Sequence, residues 1–540
     1  MKTKNHIRFL IHPFRQHMTI LLFFGFISTV IEFGGPFVSR NYLSENPGLS
    51  LAVIGLSILV SGMISIGIII NRNRQGVFLK ADLTKELCSD LLSLRYSSLI
   101  EKEPSFIYEK INMIVDSIAD YYLEALPGFI ISLFCIALCF GITIWIDWKV
   151  TIVFLCIITI QLFGYRVLNK RLSKMSRSLQ NASASKYSAI ISILSNTDYL
   201  KQLADHTPVL SIIKEKEITQ RKVESNINVF AGGVSTLYDI LLLMLSNAVY
   251  VYIPLVITKG WLSLQDSVLL VLVNTLFVPA AKNVVHANIS RASMDAGISY
   301  VKDDILPFLE DNDSDLAHHG LQAKKIDEIH FDISHLMVDE KMILHSGMAT
   351  IYSGDVVKIQ GKTGSGKSCL MKSLVKFWPI TSVLVNEQPI EGITESAIRA
   401  KVCYVPQNST VYSGSVIDNI RFGRDIPDFE EKISQTIFKK YLYGDIALDK
   451  MIVENGSNLS GGEKQKIGLA RTLFEEWDVL ILDESTSAMD SETEQEVLQY
   501  FAGFCQKNNK ILFIISHSSS VDSFCNRTLQ VENGTIKVIS

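Results

Sequence analysis

The fold of the second half of the chain is decided by the run Gly361-Lys362-Thr363-Gly364-Ser365-Gly366-Lys367-Ser368. This run matches the phosphate-binding loop pattern, in which two glycines separated by four residues are followed by Lys and Ser or Thr. The strand-like residues 355–360 precede it, and a stretch with helical character begins at Cys369. Backbone N–H groups can then close around phosphate oxygens, and the following helix adds its positive N-terminal end. We therefore expect an α/β domain of the P-loop class, in which Lys367 reaches the β- and γ-phosphates and Ser368 ligates Mg²⁺.

A second motif is an apolar strand that ends in two acidic residues, Val479-Leu-Ile-Leu-Asp483-Glu484. An isolated strand with terminal acids is usually structural. Downstream of a phosphate loop, however, the first carboxylate is the one that helps to hold Mg²⁺. The sequence therefore predicts that Asp483 is a metal carboxylate and that Glu484 is a base that polarises an attacking water.

The residues ahead of this domain have a different composition. Over its 540 residues the chain is 48% hydrophobic and only 20% charged, with a mean hydropathy of +0.25, whereas soluble proteins are about 25% charged. Six stretches have roughly the twenty apolar residues that a bilayer span needs: residues 17–39, 49–70, 126–146, 149–167, 229–257 and 263–286. We therefore predict an all-α transmembrane domain of six helices ahead of the P-loop domain.

Charge and cysteine content exclude several other classes. The net charge of -4 lacks the basic excess that favours nucleic-acid binding. The eight cysteines are dispersed or lie in apolar runs, without a CxxC pair. We therefore expect no nucleic-acid partner, no disulfide scaffold and no structural metal site.

The distribution of Lys and Arg orients the predicted spans. These residues concentrate at the N-terminus and after the second and fourth spans, whereas the opposite loops hold only Arg40, Lys149 and Lys259. By the positive-inside rule both termini are cytoplasmic. The two inner loops have apolar residues at helical spacing, as in residues 81–99 and 170–204, so we interpret them as membrane helices extended into the cytoplasm. The alternative is a separate inserted domain, for which neither loop is large enough.

Three polar residues fall inside the predicted spans: Glu32, Asp239 and Asn274. Charged groups are costly within a bilayer and are functional candidates by default. Glu32 and Asp239 are therefore candidates to contact a cationic substrate or a proton. The alternative is that both pair with polar neighbours or line a hydrated cavity without selectivity.

Several further motifs carry a family resemblance. The run Leu459-Ser460-Gly461-Gly462-Glu463 resembles the signature of the ATP-binding-cassette (ABC) superfamily in its LSGGE form. The remaining segments resemble the glutamine loop (Tyr404-Val-Pro-Gln407), the D-loop (Ser487-Ala-Met-Asp490, with Met where Leu is usual), the switch histidine (Ile515-Ser-His517) and a short loop of the exporter branch (Val453-Glu-Asn-Gly456). Six spans followed by one cassette resemble an exporter-type (type IV) half-transporter over essentially the whole chain.

The resemblance implies a domain organisation and a composite site. The transmembrane domain would occupy residues 1–292, an acid-rich linker 293–324, and the ABC ATP-binding domain 325–540. Two cassettes would dimerise head to tail, so that each ATP lies between the phosphate loop of one chain and the signature of the other. The partner would be a second copy or a paralogous half-transporter.

The resemblance also assigns roles to individual residues. Ser460 and Gly462 would touch the γ-phosphate of the partner's ATP, and the catalytic residues would be Glu484, which activates water, and His517, which holds that water and the γ-phosphate in line. The implied ATP-binding set is residues 361–368, Gln407, residues 459–463 and Asp490; the implied Mg²⁺ ligands are Ser368, Gln407 and Asp483.

The function implied by the family is ATP-driven export across a bacterial cytoplasmic membrane by alternating access. Family base rates favour a peptide or an amphipathic small molecule or lipid as cargo. Short helices at the tips of the inner loops, near residues 103–109 and 196–204, would transmit cassette closure to the membrane helices. The alternative class is a non-transporting ABC protein, an ATP-gated channel or a regulatory sensor, which intact Glu484 and His517 disfavour. The fusion of the transmembrane domain and the cassette in one chain disfavours an importer.

The sequence departs from the family pattern in three respects. The position where an aromatic ring usually stacks on adenine holds Met337 or Val338, and His335 is the nearest ring. The chain ends at Ser540 without the C-terminal helices of typical exporters, which predicts weaker cassette association between cycles. The first span begins near residue 17, which predicts that no protease domain precedes it.

Overall fold

We describe the protein from a computed structural model. The structure describes residues 2–42, 46–101, 103–310, 325–338, 341–381, 383–516 and 519–539. The chain divides into two compact units, Met1–Leu309 and Glu310–Ser540.

The first unit is built from α-helices in its described residues. They are α1 (Lys2–Tyr42), α2 (Pro47–Leu92), α3 (Tyr96–Glu101), α4 (Pro104–Asp120), α5 (Leu126–Ile146), α6 (Trp148–Leu194), α7 (Thr197–Gln202), α8 (Thr207–Thr258) and α9 (Leu264–Tyr300). Some of these helices begin after a residue whose side chain accepts a free N–H group. Asp147, for example, separates α5 from α6, and its carboxylate accepts the N–H of Lys149 at 3.0 Å, as N-cap residues do.

Five segments of the described chain are long and apolar enough to cross a membrane: His12–Arg40, Pro47–Leu92, Pro104–Ile146, Thr207–Thr258 and Leu264–Phe308. The predicted span at 149–167 lies on α6, whose apolar part is described from Trp148 to Ile160; the side chains of 161–167 lie outside the description. Helix α8 has 52 residues, which makes it about 78 Å long at the α-helical rise. It is therefore more than twice as long as the bilayer core is thick.

The predicted linker at 293–324 overlaps the end of the first unit. Helix α9 continues to Tyr300, and short turns follow over Val301–Ile305 and Leu306–Phe308. Asp304 here accepts a hydrogen bond from Arg177 of α6 at 2.8 Å. The acidic composition of this interval therefore reflects an ion-paired helix surface up to the unit boundary, and residues 311–324 lie outside the described residues.

The second unit is an α/β domain. Its strands are β1 (Glu328–Ile333), β2 (Leu336–Val338), β3 (Lys341–Leu344), β4 (Ser346–Tyr352), β5 (Val356–Gln360), β6 (Val383–Val385), β7 (Gln388–Pro389), β8 (Val402–Val405), β9 (Gly414–Ser415), β10 (Met451–Ile452), β11 (Val479–Asp483), β12 (Ile511–Ile515), β13 (Arg527–Glu532) and β14 (Thr535–Val538). Its helices are α10 (Lys367–Leu374), α11 (Glu395–Arg399), α12 (Val416–Arg421), α13 (Phe429–Ser434), α14 (Phe438–Lys440), α15 (Gly461–Thr472) and α16 (Ser491–Lys507). The predicted classes, a helical membrane domain and an α/β P-loop domain, are both confirmed.

The main sheet explains why distant motifs can meet. Its strand order is β7-β6-β1-β4-β14-β13-β5-β12-β11-β8, and the strands from β13 to β8 are parallel. Both faces of β11 are buried, as expected for a parallel strand inside a domain. In register, Asp483 lies beside Ile515, and Ile515 lies beside Ile359. The carboxyl ends of β5, β12, β11 and β8 therefore share one edge, which is where open α/β sheets bind ligands.

Candidate functional site

The phosphate loop connects β5 to α10 at this sheet edge. A Cβ atom added at Gly361 would lie 2.1 Å from the carbonyl oxygen of Val531, so only glycine fits there. Gly364 adopts φ +80° and has open space around it, a conformation that glycine adopts without strain. The loop therefore keeps its backbone accessible, as phosphate binding by N–H groups requires.

Two side chains of the loop are held inside it. Lys367 is buried, and its Nζ donates to the carbonyl oxygens of Gly361 at 2.9 Å and Lys362 at 3.1 Å. The buried Oγ of Ser365 has no hydrogen-bond partner among the described residues. Buried polar atoms without partners are rare and need an explanation. An ammonium and an unsatisfied hydroxyl inside one loop fit a ligand with anionic oxygens.

Ser368 and Asp483 form an oxygen pair beside the loop. The Ser368 hydroxyl donates to Asp483 Oδ1 at 3.0 Å, and the Tyr404 hydroxyl donates to Asp483 Oδ2 at 2.7 Å. Asp483 is buried at the end of β11. Hydroxyl and carboxylate oxygens are the ligand type of Mg²⁺, whose other positions water and substrate phosphates usually fill, so the pair predicted from two distant motifs fits part of the shell of this ion.

Gln407 and Glu484 form a second pair at the same edge. Gln407 Nε2 donates to Glu484 Oε2 at 2.8 Å. Glu484 adopts φ +49°, which is uncommon outside glycine, and its N–H donates to Ile515 O of β12 at 3.0 Å. The turn after β11 therefore directs the Glu484 side chain toward the glutamine loop.

The LSGGE run forms the start of α15. The Ser460 hydroxyl accepts the N–H of Glu463 at 3.2 Å, and the Glu463 carboxylate accepts the N–H of Ser460 at 2.6 Å. These reciprocal bonds are a capping box. Burial raises the pKa of Glu463, but these bonds and Lys450, whose Nζ lies 3.1 Å away, outweigh burial and leave the pKa below its usual range. Leu459 is buried, so the carboxylate and the leucine hold the turn in place.

The same turn packs on the D-loop of its own chain. A Cβ atom at Gly462 would lie 2.9 Å from the carbonyl oxygen of Ala488. Asp490, at the end of the D-loop, is the N-cap of α16, and its Oδ1 accepts the N–H of Thr493 at 2.9 Å. This hydrogen bond lowers the pKa of Asp490. The hydrogen bonds described for Ser460 and Asp490 stay at these two helix starts, whereas Glu463 also accepts one from Lys450 at 3.1 Å.

Sequence reasoning passed over Gln465, which the structure places at the centre of the cassette site. Its amide is buried; Nε2 donates to Gln407 O at 3.1 Å and to Ser487 Oγ at 3.4 Å, and Oε1 accepts the N–H of Ala488 at 2.9 Å. One side chain thus joins the signature helix, the glutamine loop and the D-loop. The sequence feature that points to Gln465 is helical spacing: it lies three residues after Gly462 and four after Gly461, so the three share one face of the helix.

Comparison with known families identifies both units. The family model for the ABC transporter matches residues 344–487, and the model for the ABC transporter transmembrane region matches residues 16–280. Together the two matched ranges cover well over half of the chain. The chain belongs to the ABC transporter superfamily. It has the fused membrane region and cassette of an exporter-type half-transporter.

Individual relatives of this ABC protein are similar over part of their length. The lactococcin-G-processing and transport ATP-binding protein of Lactococcus lactis is 34% identical over 204 residues, which is 36% of this chain and 28% of that protein. A probable multidrug resistance ABC transporter ATP-binding/permease protein of Bacillus subtilis is 35% identical over 193 residues, 35% of this chain and 33% of that protein. The chain thus spans about a third of the length of these curated relatives.

A solved structure shares the fold over nearly the whole chain. The structure of a bacterial Atm1-family ABC exporter with ATP bound superposes with a TM-score of 0.83 at 17% identity, covering 98% of this chain and 95% of that chain. At this identity the likeness establishes the fold of the ABC chain alone.

The polar residues of the ABC membrane domain have different partners. Asn274 of α9 is buried and donates to Ser246 Oγ of α8 at 2.8 Å. Asp239 of α8 forms an ion pair with Lys282 of α9 at 3.1 Å; Lys282 lies inside a predicted span, and sequence reasoning passed over it. Glu32 of α1 accepts a hydrogen bond from the hydroxyl of Ser61 of α2.

Other predicted residues are less informative. His517 lies outside the described residues, so its role stays a prediction. Met337 is partly exposed on β2, and His335 is exposed with its Nδ1 3.1 Å from Ser334 Oγ. Helix α7 lies within the predicted loop tip at 196–204, and α3 ends just before the tip at 103–109.

Proposed function

We propose that this chain is the ATP-hydrolysing subunit of an exporter in a bacterial cytoplasmic membrane, with both termini cytoplasmic. The observation that carries the proposal is the meeting of two side-chain pairs at one sheet edge. Ser368 with Asp483 supplies metal ligands, and Gln407 with Glu484 supplies a carboxylate for water, both beside the phosphate loop. Phosphoryl transfer needs positioning and charge stabilisation more than covalent chemistry.

The phosphate loop would bind the ATP phosphates through its N–H groups. Lys367 would turn its ammonium from the carbonyls of Gly361 and Lys362 to the β- and γ-phosphate oxygens, and the partnerless Ser365 hydroxyl would donate to the same anion. Ser368, Gln407 and Asp483 would hold Mg²⁺. When bound, Mg²⁺ neutralises charge on the β- and γ-phosphate oxygens.

Glu484 would accept a hydrogen bond from the attacking water and raise its nucleophilicity. Gln407 donates to Oε2 of the same carboxylate and would orient it for this step. Gln465, which donates to the carbonyl oxygen of Gln407, would keep the glutamine loop in place. His517 would hold the γ-phosphate and the water in line, as the family motif implies.

The signature would complete the site of a second chain. The backbone N–H groups at the start of α15, together with Ser460 and Gly462, would contact the γ-phosphate bound to the partner's phosphate loop. Leu459, Gly461 and Glu463 would hold that turn, and Asp490 would fix the D-loop beside it. Hydrolysis then requires a second copy of this chain or a related half-transporter.

The membrane domain would move cargo by alternating access when the cassettes close and reopen. We favour a peptide or an amphipathic small molecule as cargo. The names of two relatives, which refer to lactococcin G and to multidrug resistance, support this range. The loop tips near α3 and α7 would transmit the motion.

ATP retention tests the composite site. In nanodiscs, the Glu484→Gln variant should retain ATP through gel filtration with Mg²⁺ and lose it with EDTA. Adding Ser460→Arg should abolish retention, because the signature completes the partner's site. Retention that ignores Mg²⁺ would contradict the metal pair, and retention by the double variant would contradict the trans signature.

A further inference from the structure

Two carboxylates of the membrane domain have unequal partners. Asp239 has the ammonium of Lys282 at 3.1 Å. Glu32 accepts a hydrogen bond from Ser61, whose hydroxyl also lies 2.8 Å from that of Ser28. A hydroxyl orients a carboxylate but does not neutralise it, and a carboxylate among apolar helices requires a cation or a proton.

Glu32 lines a cavity of about 470 Å³ between α1, α2, α5 and α9. The described residues of its lining include the hydroxyls of Thr29, Ser65 and Ser132 and the amide of Asn283, but no Lys, Arg or His. Glu32 is the only charged side chain among these described residues. The volume falls within the range of small-molecule sites, about 300–1,000 Å³.

The rest of the lining favours an organic cation over a metal ion. Ile58, Ile131 and Leu276 form apolar walls, which suit the body of an organic molecule and offer no ligand to a hard metal ion, which binds oxygen. An ionised carboxyl group accepts at about four positions, and Ser61 uses one. The cavity thus offers one negative charge, several hydroxyls and an apolar surface.

We propose that this cavity binds an organic cation, a single positive charge on an apolar body, with Glu32 as its counter-ion. That this cation is cargo rests on the proposed export function, whereas its binding to the cavity does not. A charge on the cation replaces the neutralisation that Glu32 lacks, and the apolar walls bury the remainder of the molecule.

Equilibrium binding to the full chain in nanodiscs tests the proposal without ATP. The probes are tetraphenylphosphonium and tetraphenylborate, which share one shape and carry opposite charges, each dialysed separately against empty nanodiscs as the lipid control. We expect saturable binding of tetraphenylphosphonium, at least tenfold tighter than that of tetraphenylborate. Glu32→Gln, which keeps the shape and the Ser61 contact, should weaken cation binding at least tenfold and remove the preference for positive charge.

Asp239→Asn is the matched control, because Asp239 already has a cation. It should change tetraphenylphosphonium binding less than twofold. The proposal is overturned if the wild-type chain shows no saturable binding of tetraphenylphosphonium, or if Glu32→Gln binds it as tightly as the wild type. It is also overturned if Asp239→Asn weakens this binding as much as Glu32→Gln does. If Glu32→Gln leaves tetraphenylphosphonium binding unchanged but alters the pH dependence of ATP turnover, the proposal fails and Glu32 is assigned to binding a proton. Failed ATP retention with intact cation binding would reject the proposed ATPase and leave the cavity standing.

Discussion

Polar side chains are connected differently in the cassette and in the membrane domain. In the cassette, side chains from segments far apart in sequence meet at the edge of a parallel sheet and form connected hydrogen bonds, from Ser368 and Tyr404 to Asp483 and from Gln407 to Glu484. In the membrane domain, polar side chains form smaller groups between helices, such as Asn274 with Ser246 and Glu32 with Ser61 and Ser28. A connected set at a reactive site performs chemistry only when each member is in place, whereas these smaller groups act locally. Cassette substitutions should therefore affect turnover, and substitutions in the membrane groups should have local effects.

The largest effect should come from Asp483→Asn. This change removes the negative charge that would hold Mg²⁺ beside Ser368, so ATP turnover should fall by about 10²–10³-fold. Tyr404→Phe removes only one hydrogen bond to the same carboxylate and should cost about tenfold. Both are measured as phosphate release at several Mg²⁺ concentrations. Equal losses in the two variants would show that the carboxylate charge is not the deciding feature.

Gln465→Leu should produce the next largest effect. Losing its bonds to Gln407 and Ala488 frees the glutamine loop and the D-loop, and small misplacements cost up to about 10²-fold in rate. We expect kcat to fall tenfold or more while the KM for ATP changes little, because Gln465 does not line the phosphate loop. Gln435→Leu, at the residue that follows α13 and whose amide donates to Glu431 at 3.3 Å, should leave both values unchanged. A rise in KM alone would contradict a positioning role.

A smaller, pH-dependent effect is expected at Glu463. Its pKa is lower in the folded chain than in the unfolded chain, so its stabilisation is complete above the unfolded value, about 4.3, and is lost as the pH falls through the folded value. Amide hydrogen exchange at residues 461–463 should therefore speed up below about pH 4.3 in the wild type relative to Glu463→Gln at the same pH. If the ratio of the wild-type to the Glu463→Gln exchange rate is the same at pH 4 and pH 7, the Glu463 carboxylate does not stabilise the start of α15.

The smallest effect should come from Ser246→Ala in the membrane domain. Hydrogen bonds between membrane helices contribute about 0.6 kcal/mol on average, so removing the acceptor for Asn274 should shift the free energy of unfolding in mixed micelles by less than about 1 kcal/mol. ATP turnover should stay at the wild-type level. A large loss of turnover would show that this pair belongs to a connected network after all.

The sequence was most informative where chemistry is written in contiguous runs. The phosphate loop, the strand before Asp483 and the LSGGE run each specify their own local backbone, and parallel strand order brings them to one edge. Gln465 was missed because its partners lie in two other segments, the glutamine loop and the D-loop, which only the fold brings beside its helix. The positioning role of Gln465 depends on its burial and its contacts, which the spacing of residues within one helix does not determine.

In the membrane domain, hydropathy predicts the spans but not their pairing. Lys282 was overlooked because one charge hardly lowers the hydropathy of a long window, although its position opposite Asp239 decides the charge balance of that pair. The acid-rich stretch after residue 293 is predicted to be a linker with an exposed helix; in the structure α9 extends to Tyr300 and Asp304 pairs with Arg177. Polar composition alone does not show where such a helix ends or which residues its carboxylates pair with.

The central claim is that Glu484, placed by β11 and oriented by Gln407, activates the water that attacks ATP. The most direct measurement is the rate of phosphate release by the full chain in nanodiscs with Mg²⁺ and ATP, compared with Glu484→Gln and with Glu475→Gln, a carboxylate of the same cassette paired to Arg424 at 3.2 Å. The account predicts a loss of about 10²-fold or more for Glu484→Gln and wild-type turnover for Glu475→Gln. Phosphate release by Glu484→Gln at the wild-type rate would contradict it.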